Sequence, residues 1–326
     1  MPRAKQTEEN AKQEEFIVKP HHDRILEAVY KYQFMTAERV TRLLHKQGTL
    51  TTVRATLGKL AAAEYLLYFY EPRPTPSGSV PKIFMLGSQG CHRLKSQGFT
   101  LPTRYQEPNI AELQKNYLFL YHNLAVTDFL IAAKLLEKKF PAIELYDFQH
   151  ERAIKRDGPM VVTVEKRTAD GKQVVDSGGQ PIVETIKVYP DGFLDFRIVQ
   201  PDRAKPYRFC LFLEVDRNTE SDEDIRRKIR GYLAAVKSGD TLKRFGTKTP
   251  TVGFASARGG VKRRDELRKL AEDECKKLKE QHYYTQMFSF TVLPDGEIDS
   301  ETLFLSPVWY SPFANRESVI INVGSR

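Results

Sequence analysis

The sequence predicts an α+β protein in which a small helical unit ending in a β-hairpin precedes a long helix and a mixed sheet. Three observations predict this. Residues 20–62 carry apolar side chains at helical spacing, residues 65–86 alternate around a Pro/Gly/Ser turn, and from residue 143 the apolar period drops to two. Helical stretches recur between the later strands, which implies helices on the faces of a mixed sheet. At ~100–200 residues per domain, 326 residues suggest two folded units with a joining element.

Residues 1–19 are polar and aperiodic and are expected to be a disordered tail. Ile25, Leu26, Val29 and Tyr30 form the stripe of a first helix, and Thr36 caps a second with Val40, Leu43 and Leu44 inward, ended by Gly48. In a third helix Val53, Leu57, Leu60 and Ala61 face inward, while Thr52, Ala55, Thr56 and Lys59, flanked by Arg54, face out. Tyr65–Tyr70 and Lys82–Leu86 read as the arms of a hairpin with Pro72–Pro81 as its turn. Three helices and a hairpin over 20–105 are the order of a winged helix-turn-helix. Thr52, Arg54, Thr56 and Lys59 would then face the major groove of double-stranded DNA, and Arg73 and Lys82 would lie along its backbone.

Residues 106–142 connect the two units, and the apolar face of Leu118, Tyr121, Leu124, Phe129, Leu130 and Leu136 predicts a long helix that braces the sheet. His122 on that helix reads as a hydrogen-bonded core histidine. In 143–326 strands are expected at 143–148, 160–165, 181–188, 193–199, 207–215, 251–255 and 287–293. A helix at 221–236 opens with Ser221 and three acids, Asp222, Glu223 and Asp224, that complement its dipole. The charged helix 261–281 reads as an exposed, salt-bridged face.

Net charge is +9, of which +7 lies in residues 1–105 and +2 in the rest, so a polyanion is expected at the N-terminal unit. Cys91, Cys210 and Cys275 are too few and too scattered for a disulfide framework or zinc ribbon, which suits a reducing cytoplasm. The charged N-terminus is no signal peptide, no run is expected to span a membrane, and Arg258-Gly-Gly lacks the Lys-Ser/Thr of a phosphate loop.

Two strands carry the candidate chemistry. Asp191 opens the first, and Glu214, 23 residues after it, and Asp216 end the second. Carboxylates at adjacent strand ends can share one hard divalent cation, the geometry of a metal-dependent nuclease core. Asp191 and Glu214 are the candidate ligands for Mg²⁺ or Mn²⁺, with Asp216 as a further candidate catalytic residue. The competing reading ties the acids to Arg217, Arg226 or Arg227 as structural ion pairs.

The winged-helix exit Phe84-Met-Leu-Gly-Ser-Gln-Gly-Cys-His-Arg-Leu, the helix start Tyr121-His-Asn-Leu-Ala-Val, the corner Pro190-Asp191 and the string Leu213-Glu-Val-Asp-Arg-Asn-Thr-Glu with Lys228-Ile-Arg-Gly-Tyr form a set. With this set the chain resembles the replication-relaxation family of plasmids and other mobile elements. The resemblance implies a DNA-associated protein whose C-terminal half is similar to the restriction-endonuclease-like fold. That fold pairs Pro-Asp with Glu-x-Lys on the next strand, and here Asp216 stands at the lysine's place. Lys228 from the following helix or Lys187 from the neighbouring strand could restore the ammonium, and Glu151 could add a carboxylate. The expectation is therefore a DNA-binding protein with a nuclease-like unit of degenerate active site. The alternatives are an active metal-dependent endonuclease, or a scaffold that recruits replication, transfer or transposition proteins. Self-association as a homodimer is left open.

Overall fold

A computed structural model describes residues 16–45, 49–70, 80–101, 117–168, 170–200, 205–278, 284, 286–314 and 316–323. Helices α1 (Pro20–Tyr32), α2 (Ala37–Leu44) and α3 (Leu50–Ala62) precede a hairpin of β1 (Leu66–Tyr70) and β2 (Lys82–Leu86), closed by α4 (Ser88–Ser96). The Thr36 hydroxyl caps α2 by accepting the Arg39 N–H at 3.4 Å. Val53, Leu57 and Leu60 bury the inner face of α3, which packs on α2 and β1. Leu66 pairs with Leu86 at the base of the hairpin.

The long helix α5 (Tyr117–Lys139) leads to β3 (Ile143–His150) and a short helix, α6 (Glu151–Arg156). A separate two-stranded arm, β4 (Met160–Glu165) and β5 (Val183–Val188), returns the chain to β6 (Gly192–Ile198) and β7 (Tyr207–Asp216). Then follow α7 (Asp222–Ser238), α8 (Asp240–Phe245), β8 (Thr251–Ser256), α9 (Gly260–Lys277), β9 (Phe288–Val292), α10 (Ser300–Leu305), β10 (Trp309–Tyr310) and β11 (Glu317–Ser318). The seven-stranded sheet has the order β11-β10-β9-β8-β7-β6-β3. Strands β3, β6 and β7 form an antiparallel meander, and β7, β8 and β9 run parallel, so the α+β expectation holds. The expected strands and long helices are present with ends moved by a few residues. The sequence reading missed α6, α8, α10, β10 and β11, each six residues or fewer and too short to display a period.

Strand alternation divides the core. Leu211, Leu213 and Val215 join a cluster shared with α5 and with the N-terminal helices, while Cys210 and Phe212 point to the opposite face, packed under α7 and α9. The first cluster runs unbroken from α1 through α5 to the sheet. Polar contacts reinforce it: Asp128 on α5 takes both Nε (3.0 Å) and Nη2 (2.6 Å) of Arg39, with Arg42 at 3.4 Å. Two expectations are corrected here. The segment Leu118–Lys139 of α5 is by length and composition apolar enough to cross a membrane; Leu120, Leu124, Phe129, Leu130 and Leu136 are buried in the core, whereas Leu118 and Phe119 are exposed. Helix α9 is not simply an exposed charged face, because Arg263 and Glu274 are buried beside Leu267 and Ala271.

Candidate active site

The same alternation that sends Phe212 toward α7 and α9 sends Glu214 and Asp216 there too, and the two helices receive different acids. On α7 the Ser221 side chain and Asp224 form a capping box that fixes the helix start. Lys228 and Tyr232, one turn apart at i and i+4, then reach the same carboxylate. Lys228 Nζ donates to Glu214 Oε2 at 2.7 Å and to Glu220 Oε1 at 2.8 Å, and the Tyr232 hydroxyl donates to Glu214 Oε1. Arg263 on α9 takes Asp216 instead, with Nε at 2.9 Å and Nη2 at 3.1 Å.

Asp191 sits where the chain enters β6. Its Oδ2 accepts the Val215 N–H at 2.8 Å, and its Oδ1 lies 3.1 Å from His122 Nε2 of α5. Main-chain bonds lock the corner: Asp191 N–H donates to the Leu213 carbonyl and Glu151 N–H to the Asp191 carbonyl. His122, Glu151, Asp191, Glu214, Glu220 and Lys228 line one cavity of about 790 Å³, walled by β5 and bordered by Lys155, Lys187, Arg217 and Arg227. Asp191 and Glu214 are 6% and 2% exposed.

This burial sets the charges. Burial pushes the Glu214 carboxyl up, and Asp191 adds to it, so it reaches about 7 against the pull of Lys228 and Tyr232. Burial also opposes ionisation of Asp191, but the His122 charge and hydrogen bond, Lys228 and the Val215 amide hold it at about 2. Burial would lower His122, yet Asp191 and then Glu151 raise it to about 9. Burial likewise disfavours the Lys228 ammonium, but Glu214, Asp191 and Glu220 keep it charged well above its ordinary range. The cavity thus holds acids and cations side by side in a poorly solvated space, an arrangement suited to acid–base work on an anionic substrate.

The structure brings Asp191, Glu214 and Lys228 together and leaves Asp216 apart. Asp216 is buried beneath α9 in an ion pair with Arg263, which is none of the three arginines expected from the sequence, and it does not line the cavity. Lys187 lies on the cavity wall and Glu151 on its floor near Asp191. His122 is corrected from a core histidine to a cavity residue: its apolar surroundings masked a bond to a carboxylate 69 positions away. Tyr232 and Glu220 were missed, although Lys228 and Tyr232 at helical spacing were a readable signal. A divalent cation fits the donor set, because His122, Glu151 and Asp191 present ligand atoms all within 4.8 Å of one another, in the cavity that Glu214 also lines.

On α3, Thr52 and Lys59 are exposed, and the Thr56 hydroxyl donates back to the Thr52 carbonyl at 3.0 Å. Arg54 is not a free outward cation, since its guanidinium bonds Glu38 of α2 at 2.8 Å. Lys82 Nζ lies 4.0 Å from the Tyr68 ring centroid, and Arg73 falls outside the described residues.

Comparison with known proteins gives one family: the replication-relaxation model matches residues 26–251. No curated protein and no solved structure matches.

Proposed function

The chain belongs to the replication-relaxation family, and on that premise we propose that it acts on DNA in replication or mobile-element maintenance as a metal-dependent phosphodiesterase. In this reading the α1–α4 unit is a winged helix that docks on duplex DNA, and the sheet with α5 and α7 is a restriction-endonuclease-like unit that cuts it. Replication or transfer proteins are the natural partners of such an activity. One observation carries the reading: Lys228 Nζ stands 2.7 Å from Glu214 Oε2 in the cavity that Asp191 lines. In this reading Lys228, from the next helix, stands in for the lysine that the strand lacks. This supports the hydrolase, the alternative reading of the sequence, over the degenerate site that was the first expectation.

Asp191 and Glu214 would hold Mg²⁺ or Mn²⁺, which supplies positive charge to the phosphoryl oxygens. An ammonium has three N–H donors, and two of those on Lys228 go to Glu214 and Glu220. The third is left for an attacking water or a phosphoryl oxygen. Tyr232 and the Val215 amide fix the two carboxylates, so neither has to reorganise as charge develops. Lys187, Arg217 and Arg227 around the cavity add charge for neighbouring phosphates. Hydrolysis exchanges one P–O bond of the backbone for one to water oxygen, and the leaving oxygen takes up a proton.

Incubation with supercoiled plasmid and Mn²⁺ tests this. The protein should nick the plasmid, and Asp191→Ala and Lys228→Ala should each lower the rate by roughly 100-fold or more, about 2.7 kcal/mol of barrier. Nicking that is absent, or equal in the variants, rejects the activity.

A further inference from the structure

Three elements that are remote in sequence deliver donor atoms to one point on the cavity floor. His122 comes from the second turn of α5, Glu151 from the first position of α6, and Asp191 from the entry to β6. Their ligand atoms all lie within 4.8 Å of one another. We propose that these three residues form a mixed nitrogen–oxygen site that makes the cavity select a first-row transition-metal cation over Mg²⁺, with Mn²⁺ as the ion that reports it spectroscopically. The proposal rests on the reading that the cavity takes a divalent cation, and it adds which residues choose the metal.

The geometry argues for a ligand set rather than a simple ion pair. Two ligands about 2.1 Å from a cation at right angles lie about 3 Å apart. His122 Nε2 and Asp191 Oδ1 are 3.1 Å apart. Beyond that pair Glu151 brings a third donor: its main chain is tied to Asp191 by an N–H bond to the Asp191 carbonyl at 2.8 Å, and its carboxylate is paired with Lys155. The other Asp191 oxygen is held by the Val215 amide, so the carboxylate is orientated with one oxygen toward the trio. His122 would serve as a ligand through its neutral ring nitrogen, so binding at this site would release a proton and weaken at low pH.

The chemistry of the trio then sets the preference. Mg²⁺ demands hard oxygen ligands in near-ideal octahedral geometry and keeps its waters, whereas imidazole suits first-row transition ions. One nitrogen among oxygens tilts the site away from Mg²⁺ and toward the first-row transition ions, least for Mn²⁺ and more for those that follow it in the affinity order. Without that nitrogen the remaining carboxylates discriminate weakly.

Pulsed electron paramagnetic resonance of Mn²⁺ added to the full chain, with Mg²⁺ competition, tests the proposal. The wild-type protein should show ¹⁴N coupling from an imidazole and hold Mn²⁺ over Mg²⁺ by a ratio that falls roughly tenfold or more in His122→Ala. His122→Gln, which keeps a polar side chain in place, should lose the nitrogen coupling as well. Glu151→Gln should weaken Mn²⁺ binding while retaining that coupling. Mn²⁺ bound without nitrogen coupling, or an Mn²⁺:Mg²⁺ ratio unchanged in both His122 variants, overturns the inference and leaves the phosphodiesterase reading standing. Failure of the wild-type protein to bind either ion overturns both.

Discussion

Glu214 shows how one buried carboxylate is kept usable. It is 2% exposed, and its two oxygens are divided between Lys228 and Tyr232 on successive turns of α7. Removing either donor leaves a buried acceptor short of partners, which typically costs about 1–3 kcal/mol. His122 gives the more accessible readout. Its folded-state value of about 9 lies above the ordinary 6.5, so folding favours the charged imidazolium. The resulting stabilisation is fully present below pH 6.5 and is lost as pH rises through 9. At ~1.4 kcal/mol per pH unit over that window, the upper limit is about 3 kcal/mol. With a chelator present, wild-type protein should exceed His122→Gln in stability by the most near pH 6, and the gap should close by pH 9.5. Denaturant titration across that range checks it, and a gap independent of pH refutes the charged pair. Asp191, Glu214 and Lys228 were readable as candidates because their spacing matches strand ends and a following helix. His122 was not, because nothing local distinguishes a histidine facing a carboxylate from one packed among apolar side chains.

The cavity owes its wall to the fit between α7 and the β4–β5 arm. Gly231 lies on the face of α7 against that arm, and a Cβ there would come within 2.6 Å of Val188 Cγ2 and 3.0 Å of Ile186 Cγ2. Gly231→Ala should therefore destabilise the protein despite alanine's better helix propensity. An overpacking cost of typically 1–3 kcal/mol against a gain of up to ~1 kcal/mol leaves about 1–2 kcal/mol net loss. Equilibrium unfolding checks this, and a more stable variant would mean that the arm yields freely. The capping box of α7 and the apolar run of β7 announced both elements in the sequence, whereas the packing of Gly231 against a hairpin some 45 residues earlier carries no local mark. Short elements such as α6, which places Glu151, fall below the length at which any period shows.

The N-terminal helices and the sheet share one continuous apolar cluster through α5, so a DNA duplex seated on α3 would be held at a fixed orientation to the rest of the chain. The charge excess in residues 1–105 supports that seat. Lys59 is exposed and Lys82 lies over Tyr68, while Arg54 is engaged by Glu38. Combined Lys59→Ala and Lys82→Ala should weaken duplex binding and reduce the salt slope by about 2, at ~0.9 per phosphate contact. Arg54→Ala should change it less. Binding isotherms over a salt series decide, and an unchanged slope for the double variant removes α3 and the hairpin from the interface. Local spacing was enough to establish the α+β class, the helix-and-hairpin start, the long helix and the two acidic strands, because periods, caps and turns act within a few residues. Packing alone decided which cation meets which acid. Glu214 and Asp216 point to the same face, two residues apart, and only the seating of α7 and α9 on that face gives the first to Lys228, inside the cavity, and the second to Arg263, outside it.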